Sequence, residues 1–274
     1  MKTILVPTDF SDEAENALKV AAQIAKKHNG EIYLLHMLEI PLQEIDAVST
    51  HADVPEVMFF MKLAHQRFEE ILNSDYLKGV TVHDMVKPDG SFNGIQQICK
   101  DYDIDLITMG SHGANGLKEM FVGSNAEKVV RMSDVPVLVI KNTIDEFSID
   151  DIVFASDFKK DNKETYRQAT EFAMAFGSQI HLLMVNTASN FTTTKKANQR
   201  INEFISDYNF KNYTVNIYND DSIEKGVLNF SKQIDADLIG ISTHGRQGIA
   251  HFFNGSISED LVNHANRPVI TFKI

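Results

Sequence analysis

The chain has 274 residues, enough at roughly 150 residues per domain for about two domains. Of these 43% are hydrophobic and 23% charged, an ordinary supply for packed soluble cores, and the formal net charge is -12. So acidic a surface repels phosphate backbones and anionic bilayers, which excludes general nucleic-acid and membrane-surface binding but not a local anion pocket built from backbone amides.

The single cysteine, Cys99, excludes an intrachain disulfide and fits a reducing compartment. Met1 to Pro7 carries too short an apolar run for a signal peptide. No apolar stretch approaches the roughly 20 residues that span a bilayer. The expectation is a cytoplasmic protein with no membrane partner.

The first apolar run, near residues 2–7, reads as a strand ending in Pro7-Thr8-Asp9-Phe10. After Ser11, a side chain suited to cap a helix, Ala14, Leu18, Ala21, Ala22 and Ala25 recur at helical spacing. A second strand near 31–37 ends in Leu35-His36-Met37. The stretch Ile40 to Pro55 holds Pro41 and Pro55 without a clean helical period, and reads as a surface loop or as a flap beside a pocket. A helix near 56–73, a strand near 80–86, a helix near 92–101 with Ile95, Ile98 and Cys99 on one face, and a strand near 104–110 follow. Then comes Gly110-Ser111-His112-Gly113, nine residues, and Gly123-Ser124, with a helix near 124–132 and a last strand near 136–141.

The pattern then returns in the same order. Ile4-Leu5-Val6-Pro7-Thr8-Asp9-Phe10 is echoed by Ile152-Val153-Phe154-Ala155-Ser156-Asp157-Phe158, and Ile32 to Met37 by Ile180 to Val185. Asp103 to Ile107 returns as Asp235 to Ile239, His112-Gly113 as His244-Gly245, Gly123-Ser124 as Gly255-Ser256, and Val135 to Ile140 as Arg267 to Phe272. Ordered matches of this kind mean a duplication. The first two are offset by 148 residues and the later ones by 132, so the first copy carries about 16 extra residues within Leu38 to Lys78. Alternation of strand and helix predicts an α/β fold: two tandem doubly wound, Rossmann-like domains with parallel sheets, over 1–143 and 149–274. Ligands in such sheets bind beyond the carboxyl ends of the strands, where strand order switches.

The strongest chemical signal is the glycine loop after the fourth strand. Glycines let the backbone approach a ligand, and the helix N-terminus behind Ser124 suits a phosphate chain. The spacing Gly110-x2-Gly113-x9-Gly123-Ser124, with Val6 to Ser11 and Leu35-His36-Met37, resembles the ATP-binding signature of the universal stress protein family, in particular its tandem members. The resemblance covers both halves. It implies an adenine nucleotide alpha hydrolase-like fold, a role in the stress response, and ATP or AMP as ligand, with Mg2+ as a companion. By that resemblance Pro7, Thr8, Asp9 and Met37 lie against adenine and ribose. Gly110, Gly113, Gly123 and Ser124 cradle the phosphates, with Met109 and Asn125 flanking. In the second copy the counterparts are Asp157, Val185, Gly245, Gly255 and Ser256. There Ser242 replaces the first glycine, and its Cβ is expected to crowd phosphate or ribose, while Arg246 offers a compensating charge.

Other readings stand beside these. The glycine loop also serves tight packing of strand on helix, and Asp9 also serves to cap the first helix. His112 and His244 read as structural hydrogen bonders, and Cys99 as a buried helix residue. The histidines show no zinc-ligand spacing, and the P-loop, dinucleotide and nucleophile-elbow motifs are missing. The pocket therefore reads as a binder with no assigned catalytic residue; a slow ATP hydrolase or phosphotransferase, and a nucleotide-free scaffold, are the alternatives. The family resemblance further implies that the last strands, Pro136 to Ile140 and Pro268 to Ile274, pair within the chain as a pseudo-dimer. Higher homo-oligomers and a regulatory protein partner are compatible with it.

Overall fold

A computed structural model describes residues 1–38, 53–87, 92–111, 128–130, 132–243, 261–262 and 264–273. In the first half these form β1 (Thr3–Pro7), α1 (Asp12–His28), β2 (Glu31–Met37), α2 (Asp53–Leu72), β3 (Thr81–Lys87), α3 (Phe92–Asp101), β4 (Leu106–Gly110) and β5 (Val137–Ile140). The second half gives β6 (Asp151–Ala155), α4 (Lys163–Phe176), β7 (Gln179–Asn186), α5 (Thr194–Ile205), β8 (Tyr213–Asn219), α6 (Ile223–Gln233), β9 (Leu238–Thr243) and β10 (Val269–Lys273). Residues 128–130 and 132 are also helical. The rest of the helix expected near 124–132, and residues 40–52 of the expected loop or flap, lie outside the described residues.

The ten strands make one sheet in the order β3-β2-β1-β4-β5-β10-β9-β6-β7-β8. Within each half the pairings are parallel. Ile4, Leu5 and Val6 are fully buried, so both faces of the sheet are covered, as parallel sheets require. The halves meet where β10 pairs antiparallel with β5, with Val269 opposite Val139 and Ile270 opposite Leu138. The chain therefore pairs its two last strands with each other. Lys273 Nζ reaches across this seam to Met132 O at 3.1 Å and Asp134 Oδ1 at 2.5 Å.

Local sequence explains the long first helix. Ser11 is its N-cap, its hydroxyl accepting from Ala14 N at 3.2 Å, and Asn29 ends it in the left-handed conformation at φ 52°. Asp12, Glu13 and Glu15 sit in its first turn and Lys26, Lys27 and His28 in its last, matching the helix dipole. The duplication extends to the backbone. Phe10 and Phe158, 148 residues apart, both have positive φ (64° and 53°), as do Asp103 and Asp235 (47° and 53°), 132 apart. α2 has 20 residues against 12 in α5, so half of the 16-residue difference is helix. α2 begins at Asp53 with Pro55 in its first turn, earlier than the period indicates, because a proline is tolerated where no intrahelical N–H is needed. α2 buries Ala64 and Phe68 and leaves Met58, Phe59, Phe60 and Leu63 exposed.

Candidate functional site

In the first half the strand order reverses between β1 and β4, and the carboxyl ends of β2, β1 and β4 lie side by side. This brings Pro7, Thr8 and Asp9, then Met37, then Met109 and Gly110, to one edge of the sheet. Thr8 N donates to Leu35 O at 2.8 Å, continuing the ladder past β1. His36 Nδ1 stands 2.8 Å from Thr8 O; a carbonyl only accepts, so Nδ1 carries the hydrogen. Phe10 packs on the His36 ring with centroids 4.4 Å apart. These contacts fix the turn that carries Asp9. Asp9 Oδ1 accepts from Ser11 N at 3.1 Å and from Ser11 Oγ at 2.5 Å, while the side chain stays exposed. Ser11, not Asp9, caps α1; Asp9 braces the cap.

Gly110 has a structural reason. A Cβ there would stand 2.7 Å from Glu13 C and O, so β4 runs too close to the first turn of α1 for any side chain. Ser242 occupies the matching place in the second half and is fully buried. Its Oγ lies 2.8 Å from Thr165 Oγ1, which donates to Asn162 O at 2.8 Å. The expectation that the Ser242 Cβ crowds a ligand is therefore corrected: the side chain enters the layer between β9 and α4. Room goes with a different helix start, because a short 3-10 turn, Lys160–Asn162, precedes α4 where α1 is already helical.

The second half has a cleft at the ends of β6 and β7, with about 600 Å3 of empty space counting the part open to solvent. Asp157 and Val185 both line it, so two residues singled out from sequence come together. Asp157 is buried, unlike Asp9, and is held by Asn162 Nδ2 at 2.6 Å, Lys159 N at 3.1 Å and Lys159 Nζ at 3.0 Å. The loop after β7 forms the far wall. Asn186 pins it from both sides, donating to Thr192 O at 3.1 Å and accepting from Thr192 N at 3.3 Å. Phe191, 71% exposed, and Arg200 from α5 stand at the cleft. Glycine loops and strand ends do not mark Asn186, Phe191 or Arg200, which line the cleft all the same.

Gly113, Gly123, Ser124, Asn125, Gly245, Gly255 and Ser256 lie outside the described residues, as do His112, His244 and Arg246. Among the described residues no group of three or more His, Cys, Asp or Glu gathers as metal ligands, and no helix is long and apolar enough to cross a membrane. Burial pushes the Cys99 thiol up to about 12, with Asp134 adding to it, so the residue is a buried, inert thiol at neutral pH. Burial lowers the Lys141 ammonium to about 8.

Residues 1–141 and 214–273 match the model of the universal stress protein family. A universal stress protein of Methanocaldococcus jannaschii is 35% identical over 155 residues, covering 51% of this chain and 94% of that protein. One from Synechocystis sp. is 22% identical over 300 residues and covers 100% of both chains. Among solved structures, a universal stress protein of Archaeoglobus fulgidus covers 99% of this chain and 98% of its own at a TM-score of 0.74 and 23% identity, a likeness of fold.

Proposed function

We propose that this chain, which belongs to the universal stress protein family, binds an adenine nucleotide, ATP or AMP, in its first half and regulates a partner in the stress response accordingly. One observation carries the reading. The strand switch between β1 and β4 gathers Pro7 to Asp9, Met37 and Met109-Gly110 at one sheet edge, the place where open parallel sheets bind ligands. The exposed Asp9 carboxylate, with Asp12 and Glu13 in the adjoining turn, repels phosphate. It suits ribose hydroxyls, or a Mg2+ ion accompanying ATP. The family resemblance assigns the phosphates to Gly113, Gly123 and Ser124. The two functional units divide between 143 and 149.

Calorimetry with ATP and Mg2+ tests this. Asp9→Ala and Gly113→Val are each expected to weaken binding by roughly tenfold or more. Affinity unchanged in both variants would refute the first-half pocket. A regulatory role further requires that ligand alter a surface away from the site, since a ligand shifts only states it binds unequally. Hydrogen exchange with and without ATP should show changed protection outside the three strand ends.

A further inference from the structure

We propose that β8 is the docking edge for a second copy of this chain, which adds its own β8 antiparallel and joins the two sheets into one. β8 ends the sheet on the side of the second half, and its groups toward β7 can be followed residue by residue. Ile180 N donates to Asn212 O at 2.9 Å, and Asp220 N donates to Asn186 O at 3.0 Å. Successive residues of a strand turn their N–H and C=O to opposite sides, so Thr214, Asn216 and Tyr218 also face β7. Tyr213, Val215, Ile217 and Asn219 face outward, and among the described residues no hydrogen bond uses their main-chain groups. An edge of this length is a template for another strand unless charge or proline blocks it. Residues 212–219 contain neither. The opposite edge, β3, is blocked: it carries His83, Asp84 and Lys87, with Asp84 3.4 Å from His65 and His83 3.0 Å from Glu31.

The occupant follows from register and charge. A twofold axis sets two identical strands antiparallel. With the axis at Asn216, Val215 of each copy faces Ile217 of the other and Tyr213 faces Asn219, each pair exchanging both main-chain bonds. Every outward group is then used, whereas an axis at Val215 or at Ile217 strands one outward residue at an end. The same register sets Lys211 opposite Asp221 of the other copy. Lys211 is exposed and makes no ion pair among the described residues, while Asp221 is 85% exposed beside Lys225 and has room for a second cation. Backbone pairing and charge thus select one register independently. In a chain of net charge -12, an edge without charge is also where two copies meet with least repulsion. Tyr213, Val215 and Ile217 are half-buried against the main core, so Val215 on Ile217 extends that core with a β-branched cross-strand pair. Because β3 is blocked, the assembly closes as a dimer and does not grow into a fibre.

Sedimentation equilibrium of the full chain tests this, with no nucleotide present. The parent is expected to be a dimer at about 0.1 mM. Val215→Pro removes an outward N–H and no bond to β7, so the fold persists, which a thermal melt checks, and the dimer Kd should rise by roughly a hundredfold. Val82→Pro on β3 serves as the control: Leu38 N donates to Lys87 O at 2.8 Å, so Val82 N–H also points outward, and the dimer should be unchanged. Lys211→Asp sets like charges opposite each other and should raise Kd by roughly tenfold. Adding Asp221→Lys restores unlike charges in the same register and should recover the dimer. A monomer at about 0.1 mM overturns the proposal and leaves the edge to a strand of some other protein. A dimer indifferent to both Val215→Pro and Lys211→Asp, or one broken by Val82→Pro and kept by Val215→Pro, also overturns it.

Discussion

Gly110 and Ser242 occupy the same place in the two halves, yet substituting either by the other should destabilise the protein. In Gly110→Ser the new Cβ meets Glu13 C and O at 2.7 Å, several tenths of an ångström inside contact, and both atoms are backbone. Relief requires α1 to move off β4, and α1 buries Ala14, Ala17, Leu18 and Ala21 among its contacts. Overpacking of this kind costs about 1–3 kcal/mol. In Ser242→Gly the loss is different. The hydroxyl partner of Thr165 disappears, worth about 1 kcal/mol, but Thr165 keeps its bond to Asn162 O and is not orphaned. Added strand flexibility brings another 0.5–1 kcal/mol or so. Urea unfolding followed by far-UV circular dichroism measures both, and calorimetry with ATP runs in parallel. A Gly110→Ser variant as stable as the parent would refute the packing argument. If it also lost ATP binding, the glycine would be explained by ligand approach alone.

Two further outcomes are expected. Ser11→Ala removes the N-cap of α1 and one partner of Asp9, so stability should fall by about 1 kcal/mol in urea unfolding, with ATP affinity falling alongside as Asp9 loses its brace. Cys99 and Lys141 give opposite pH slopes. The Lys141 ammonium sits at about 8 when folded and near 10.5 otherwise, so the unfolded chain binds more protons between those values and stability rises with pH there. The Cys99 thiol sits at about 12 when folded and near 9.0 otherwise, so the folded chain holds the extra proton and stability falls from about pH 9 upward. Unfolding from pH 7 to 10 in Lys141→Met and Cys99→Ala should remove each slope in turn, and a slope that survived its substitution would belong to another group.

Much of this fold was legible because strand and helix periods are local. β1, β2, β3, β4 and β5 fall within about two residues of their expected places, and Ser11 caps the helix it was expected to cap. The pairing of the last strands follows from the resemblance and holds. What local pattern did not carry was side-chain direction and neighbourhood. Ser242 points into a helix layer whose room depends on where α4 starts, and that depends on the 3-10 turn at Lys160–Asn162. Asp9 and Asp157 align perfectly in sequence, yet one is exposed and the other buried, because Lys159 and Asn162 have no counterparts beside Asp9: Ser11 and Ala14 stand there. Arg200 reaches the cleft from a helix with no motif, and only the fold brings it there.

The seam sets how the two halves can influence one another. Since β5 and β10 are antiparallel and every other described pairing is parallel, the five strands of each half point in opposite directions along the sheet. The carboxyl ends of β1, β2 and β4 therefore open at one edge of the sheet and those of β6 and β7 at the other. No single ligand bridges them, and direct electrostatic coupling across the width of a sheet with covered faces is small at physiological ionic strength. Influence has to pass through the shared core, where Leu138 and Val139 meet Ile270 and Val269, or through Lys273, which ties the last strand of the second half to Met132 and Asp134 in the first. A packed core of fully buried β-branched and leucine side chains resists small displacements. A change that ATP binding in the first half makes in hydrogen exchange of the second half has to pass by one of these two routes. Lys273→Ala distinguishes the routes: a coupling that vanishes with it runs through the polar tie, and one that persists runs through the strands.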